Sequence, residues 1–165
     1  DGCVLSLTDS VSESSGSTEI IDVVEFLYEN LDRIRGKIVS PLDMRLAVFP
    51  GCHCEDMLHR KGKDAFAMMS EILSVIGVRP LRPKDDICCG SGAAAADDTL
   101  SKEILKESVE SFKATGGNGV VTVCPSCFMQ FDMVARYTTY NLAELVAKAM
   151  GWTVACSEFH RGKDL

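Results

Sequence analysis

The chain has 165 residues, 46% of them hydrophobic and 25% charged, with 17 Lys plus Arg against 24 Asp plus Glu and a net charge of -7. A domain of that size buries roughly two-thirds of its unfolded surface, so its core needs neither disulfides nor metals, and its apolar content excludes a disordered chain. The negative balance offers no long-range attraction to nucleic acid or anionic membrane, and no apolar run approaches the ~18 residues of a membrane-spanning helix. With Asp1-Gly2-Cys3 at its start rather than a basic leader, the sequence reads as soluble, and its clustered cysteines suit a reducing cytoplasm.

In chain order, a polar stretch from Ser10 to Ser17 precedes a helix that Ser17 or Thr18 can cap. Ile20, Val24, Leu27, Leu31 and Ile34 recur on one of its faces, and Gly36 sits where a helix stops. Leu46 to Phe49 is a short unbroken apolar run ended by Pro50-Gly51, the pattern of a buried strand whose end delivers Cys52. The next helix aligns Ala65, Met69, Ile72 and Ile76 before Gly77, and Val78 to Leu81 reads as a strand that Pro80 confines to an edge. After Cys88-Cys89-Gly90-Ser91-Gly92 and four alanines, a helix carries Leu100, Ile104, Leu105, Val109 and Phe112 inward and stops at Gly116-Gly117. Val120 to Val123 is the strongest strand pattern. Pro125 suits the first position of a helix whose buried side is Phe128, Phe131 and Ala135. Asn141 caps a last helix that buries Leu142, Leu145, Val146 and Ala149 and closes at Gly151.

Strand and helix in alternation predict an α/β fold, a small parallel sheet flanked by helices, with right-handed crossovers and ligands at the carboxyl ends of the strands. Cys52 and Cys124 fall just past two such ends, so cysteines distant in sequence are expected to converge there. The chain holds eight cysteines, and most come in tight groups: Cys52 with Cys54, Cys88 with Cys89, and Cys124 with Cys127. Such grouping points to a metal or redox centre in a reducing compartment rather than a disulfide framework. Cys124 at an N-cap and Cys127 at the third helical position meet unpaired amides that favour thiolate, the form that binds metal. Adjacent Cys88 and Cys89 suit different irons of one cluster better than a single ion. Gly90, Gly92 and the alanines leave room for a cluster to approach, or the alanines merely form helix.

The order Cys52, Cys88-Cys89-Gly90, Cys124-Pro125-Ser126-Cys127 resembles the cysteine-rich CCG domain in the iron-sulfur catalytic subunit of heterodisulfide reductase, over about residues 44 to 151. The same module is shared with iron-sulfur subunits of glycolate, lactate and succinate oxidising complexes. Gly51-Cys52-His53 matches the family's first-cysteine segment, and Cys54 is a departure that leaves the first ligand open between the two. The resemblance implies a 4Fe-4S cluster of non-cubane shape held by Cys52, Cys88, Cys89, Cys124 and Cys127. It also implies reduction of a small-molecule disulfide, such as the coenzyme M/coenzyme B heterodisulfide of methanogenesis, within a complex containing further iron-sulfur and flavin subunits. Residues 1-38 would be the tail of a preceding copy, with Cys3 its last ligand, plus a linker helix, and 39-165 the domain itself. That makes the chain the C-terminal half of such a subunit, supplying half of a site. Cys3 to Leu7 repeating the pattern of Cys127 to Phe131 is a weak sign of the same duplication.

Two rival readings use the same thiols. Four of them could close a structural zinc site in an interaction domain. Strand, Cys124-x-x-Cys127, helix is also the arrangement of a dithiol-disulfide exchanger, which leaves Cys52, Cys88 and Cys89 idle. His53 and His59 read as loop or surface residues, Met57, Met68 and Met69 as core, and the charges from Lys102 to Lys113 as a solvated helix face.

Overall fold

The computed structural model describes residues 20-84 and 88-153. Its strands are β1 (Met44–Val48), β2 (Val78–Leu81), β3 (Gly119–Thr122) and β4 (Thr139–Asn141), in the order β2-β1-β3-β4. Every pairing is parallel: Met44 opposes Val78, Leu46 opposes Gly119, and Val120 opposes Thr139. Pro80 sits in edge strand β2, where its missing N–H can face away from the ladder.

A parallel sheet is covered on both faces, and strand alternation separates two cores here. Leu46, Val48, Val121 and Val123 point to one face. It is covered by α1 (Val23–Glu29), α2 (Leu31–Arg35), α3 (Cys52–Arg60), α4 (Ala65–Val75) and α7 (Leu142–Ala149). Ala47, Phe49 and Val120 point to the other, against α5 (Asp98–Ala114), α6 (Pro125–Met129) and the π-helical turn Gln130–Val134. Phe49, Phe112 and Phe131 meet edge to face there, with centroids 5.0 to 5.6 Å apart. Each such pair adds about 0.5–1.5 kcal/mol beyond its buried area.

The first helix differs from its expected form. It starts after Asp22, whose carboxylate accepts from the Val24 N–H at 2.8 Å, rather than at Ser17 or Thr18, which lie outside the described residues. It also breaks at Asn30, whose side-chain amide donates to the Phe26 carbonyl at 2.8 Å. The stripe Val24, Leu27, Leu31 and Ile34 is nevertheless buried in the same core as the sheet. Cys52–Arg60 forms a helix where the sequence suggested a loop, which puts His53 and His59 on its exposed side. Leu100 is 46% exposed instead of inward, because Ser101 takes the buried place in the first turn of α5. The four alanines run through successive turns ahead of that helix, with Asp97 as its cap. Met57, Met68 and Met69 are core, as expected. The repeat suggested around Cys3 lies outside the described residues.

A buried ion pair ties α1 to the segment after α3. The Glu25 side chain, 5% exposed, meets Lys61 at 2.6 Å and Lys63 at 2.5 Å. Burial pushes its carboxyl up, but the two ammonium groups more than offset that, and the net displacement is below the ordinary glutamate value. A depressed folded-state value means that this stabilisation is present above the unfolded glutamate range and fades as pH falls through the folded value. Glu25→Ala should destabilise the reduced chain by roughly 1–3 kcal/mol in urea titrations at neutral pH, the half-exposed lysines recovering water in part. The gap between variant and parent should narrow on acidification below the ordinary glutamate range.

Candidate metal centre

Three loops leave the carboxyl edge of the sheet and bring the predicted cysteines together. In the order β2-β1-β3-β4, chain direction diverges between β1 and β3, so a crevice opens beyond their carboxyl ends. Cys52 follows β1 and Cys124 follows β3 at that crevice. The Phe49 N–H donates to the Val121 carbonyl at 2.9 Å and carries the pairing to the crevice floor. Gly51 then passes against the third loop with φ +89°: a Cβ there would lie 3.4 Å from both Cys124 Cβ and Cys127 Sγ. The bare backbone of the first loop is what lets it lie on the sulfurs of the third.

The second loop is fixed from α5. Ser108 Oγ donates to the Cys88 carbonyl at 2.8 Å, and Ser101 Oγ donates to the Gly90 carbonyl at 2.9 Å. Gly90 has φ +78°, and a Cβ on it would stand 2.5 Å from the Ser101 carbonyl oxygen. Its missing side chain thus accommodates α5, whereas Gly92 has nothing within 4 Å. The spacing Ser101, Leu105, Ser108, Val109, Phe112 is one helix face; two serines in an otherwise apolar stripe were the available sign of this clamp.

Cys127 donates to Cys89 with the sulfurs 3.2 Å apart, both buried above the Phe49, Phe112 and Phe131 rings. Cys88 and Cys52 are exposed and Cys124 half-buried. A hydrogen bond from Cys127 lowers the Cys124 thiol to about 5 against the cost of burial, helped by the Cys127 and Ser126 amides. Those amides face its sulfur without closing a full capping hydrogen bond. Cys89 is drawn down to about 7, first by the Cys127 hydrogen bond. Cys127 goes strongly upward, because its proton is held between Cys124 and Cys89. Burial pushes the Cys52 thiol up, with the neighbouring sulfurs of Cys88, Cys89 and Cys124 adding to it.

Cys54 does not join them. It is fully buried in the core on the opposite face of the sheet, where its thiol donates to Asp22 at 3.7 Å. Burial first, and then the Asp22 charge, push it well above the ordinary thiol value. Among the described residues no three His, Cys, Asp or Glu side chains form a set ready to grip one ion as they stand. A tetrahedral zinc site calls for four donors about one point.

A family model of the cysteine-rich CCG domain matches residues 46-132, over half of the sequence. The chain belongs to the CCG cysteine-rich domain family. This CCG domain is 29% identical over 134 residues to a subunit of the ferredoxin:CoB-CoM heterodisulfide reductase of Methanosarcina mazei, covering 73% of this chain and 43% of that protein. It is 24% identical over 152 residues to the 8-methylmenaquinol:fumarate reductase membrane anchor subunit of Wolinella succinogenes, covering 82% and 54%. An uncharacterized iron-sulfur protein of Methanococcus maripaludis is 34% identical over 91 residues, covering 54% and 18%. The chain therefore spans about half, or less, of the relatives it matches. Among the described residues no helix of this CCG domain is long and apolar enough to cross a membrane.

Two measurements probe this geometry in the metal-free, reduced chain. Alkylation of Cys124 should follow a single titration near pH 5. Cys127→Ala, which removes the hydrogen-bond donor, should move that midpoint upward. Gly90→Ala should expose the second loop: buried Cys89 becomes reactive toward a thiol reagent, and the thermal midpoint falls, since a backbone contact at 2.5 Å cannot be relieved by a side-chain rotation.

Proposed function

We propose that this CCG domain holds an iron-sulfur cluster through Cys52, Cys88, Cys89, Cys124 and Cys127 and works as a redox subunit of an oxidoreductase complex. The observation that carries the reading is the 3.2 Å approach of Cys89 and Cys127, from loops 38 residues apart, at the crevice that Cys52 and Cys124 flank. The donor set fits: the crevice gathers soft sulfur ligands, with an apolar ring cluster behind the buried pair. When bound, a 4Fe-4S cluster supplies one-electron chemistry and an iron with affinity for substrate sulfur.

The chain's own groups would set the conditions for that chemistry. Phe49, Phe112 and Phe131 exclude water behind Cys89 and Cys127. The Gly90 amide lies 3.5 Å from Cys88 Sγ and donates to it, which orients the exposed sulfur. Exposed Cys52 and Cys88 define the side from which a small molecule can arrive. The finer reading is reduction of a small-molecule disulfide, of which the coenzyme M/coenzyme B pair is one: the S–S bond takes two electrons and two protons and leaves as two thiols. Residues 39-165 are proposed as the domain and 1-38 as the tail of a preceding copy with its linker helix, in a reducing compartment beside iron-sulfur and flavin partner subunits.

A second reading is favoured by the 82% coverage of this chain in its match to the fumarate reductase subunit, namely electron transfer without a disulfide substrate. Anaerobic reconstitution with iron and sulfide separates both from a zinc domain: the product should be brown, with equal iron and acid-labile sulfide. Serine at positions 52, 88, 89, 124 or 127 should each cut the bound iron severalfold, and Cys54→Ser should retain it. A colourless product without sulfide ends the cluster reading. Addition of a small-molecule disulfide to the chemically reduced chain should reoxidise it with two thiols formed per disulfide; reoxidation only by other acceptors would support the second reading.

A further inference from the structure

We propose that the metal-free domain carries a reversible disulfide site, Cys89 with Cys127, which hydroperoxides close and thiol reductants open, and which gates cluster loading. The pairing differs from the one that the sequence suggests. Cys124-x-x-Cys127 reads as a local exchange pair; in the structure the Cys127 thiol, whose proton lies between Cys124 and Cys89, makes its close sulfur contact with Cys89 on another loop, at 3.2 Å. A disulfide requires ~2.05 Å, so the two sulfurs need to close by only about 1.2 Å.

The two loops are held in place for that closure. Ser101 and Ser108 pin the second loop by its carbonyls, and Gly51 lies against Cys127 Sγ from the first. Cys88 and Cys52, by contrast, are both exposed. Closure also suits the chemistry of damage: a buried thiol with a second thiol in contact is captured as a disulfide before it proceeds to the irreversible sulfinic and sulfonic acids.

One sulfur of the pair attacks the O–O bond of hydrogen peroxide and becomes a sulfenic acid, with one water released. The other thiol displaces the second oxygen as water and forms the S–S bond. Two thiols and one peroxide thus give one disulfide and two waters. The site then lacks two of the five sulfurs proposed as ligands, so iron and sulfide cannot be loaded until a dithiol reduces it. This last consequence rests on the cluster reading; the disulfide itself does not.

The test uses the full reduced, metal-free chain treated anaerobically with one equivalent of hydrogen peroxide, alkylated in denaturant and mapped by proteolysis and mass spectrometry. The expected product has lost two hydrogens and two free thiols, and links the peptide containing Cys89 to that containing Cys127. Dithiothreitol restores both thiols. Cys89→Ser and Cys127→Ser each abolish the link, and Cys124→Ser retains it. A Cys124–Cys127 bond instead, or over-oxidation of Cys52 or Cys88 with no bond formed, overturns the proposal. Loading is scored separately: the oxidised chain should take up at least tenfold less iron than the same sample after reduction. Equal uptake overturns the gating. A reduced chain that forms the link but never binds iron would instead overturn the cluster reading and leave the disulfide site standing.

Discussion

All four strands of the sheet run in the same direction, and the rest of the molecule depends on that constraint. Parallel pairing forces each connection to cross the sheet and return, so the loops after β1, β2 and β3 all emerge at one edge. Three stretches of sequence separated by more than thirty residues are thereby delivered to one crevice, where β1 and β3 diverge. The last ångströms come from local devices: a glycine that lets the first loop touch the third, and two serine hydroxyls that hold the second by its carbonyls.

Helix α3, which leaves the rim of that crevice, discriminates between Cys52 and Cys54. The first residue of α3 stays at the rim, while two positions on the helix has turned and Cys54 enters the core shared by Val24, Leu58 and Val121. There it meets Asp22, which caps α1 with the same oxygen, so a helix start and a thiol share one buried carboxylate. A cysteine in that setting is held as a thiol, since ionising it would place two negative charges together away from water. Proximity in sequence to a cysteine of the crevice therefore says little; helical phase decides.

Much of this was legible in the sequence because it rests on unambiguous periodicity. The short apolar runs at Leu46 to Phe49, ended by Pro50-Gly51, and Val120 to Val123, flanked by Gly119 and Cys124, read as buried strands, and Pro80 marked an edge. The elements that escaped are those whose pattern is weak. Helix α3 reads Cys-His-Cys-Glu-Asp-Met-Leu-His-Arg, with a narrow inward face of Cys54, Met57 and Leu58. Strand β4 is three residues long, Thr139-Tyr140-Asn141, and exists because β3 offers it a partner. The π-helical turn, with Ala135 N–H donating to the Gln130 carbonyl at 2.9 Å, accommodates one extra residue and turns Phe131 into the ring cluster. For the crevice, residue types and loop spacing pointed to the five cysteines, but the serines and Gly51 act through backbone contacts that no motif describes.

Burial divides the five thiols unevenly, and that asymmetry has chemical consequences on the proposed reading. Cys89 and Cys127 sit against aromatic rings, where each charge is costly and a shared proton is the most favourable arrangement in the absence of metal. A bound cation would take the place of that proton at the buried pair, whereas Cys52 and Cys88 would meet it from the exposed rim. The buried side would then anchor the centre and the exposed side would remain the one at which coordination can change. On that reading a small molecule arriving from solvent would meet the exposed side, at Cys52 and Cys88, before the buried pair.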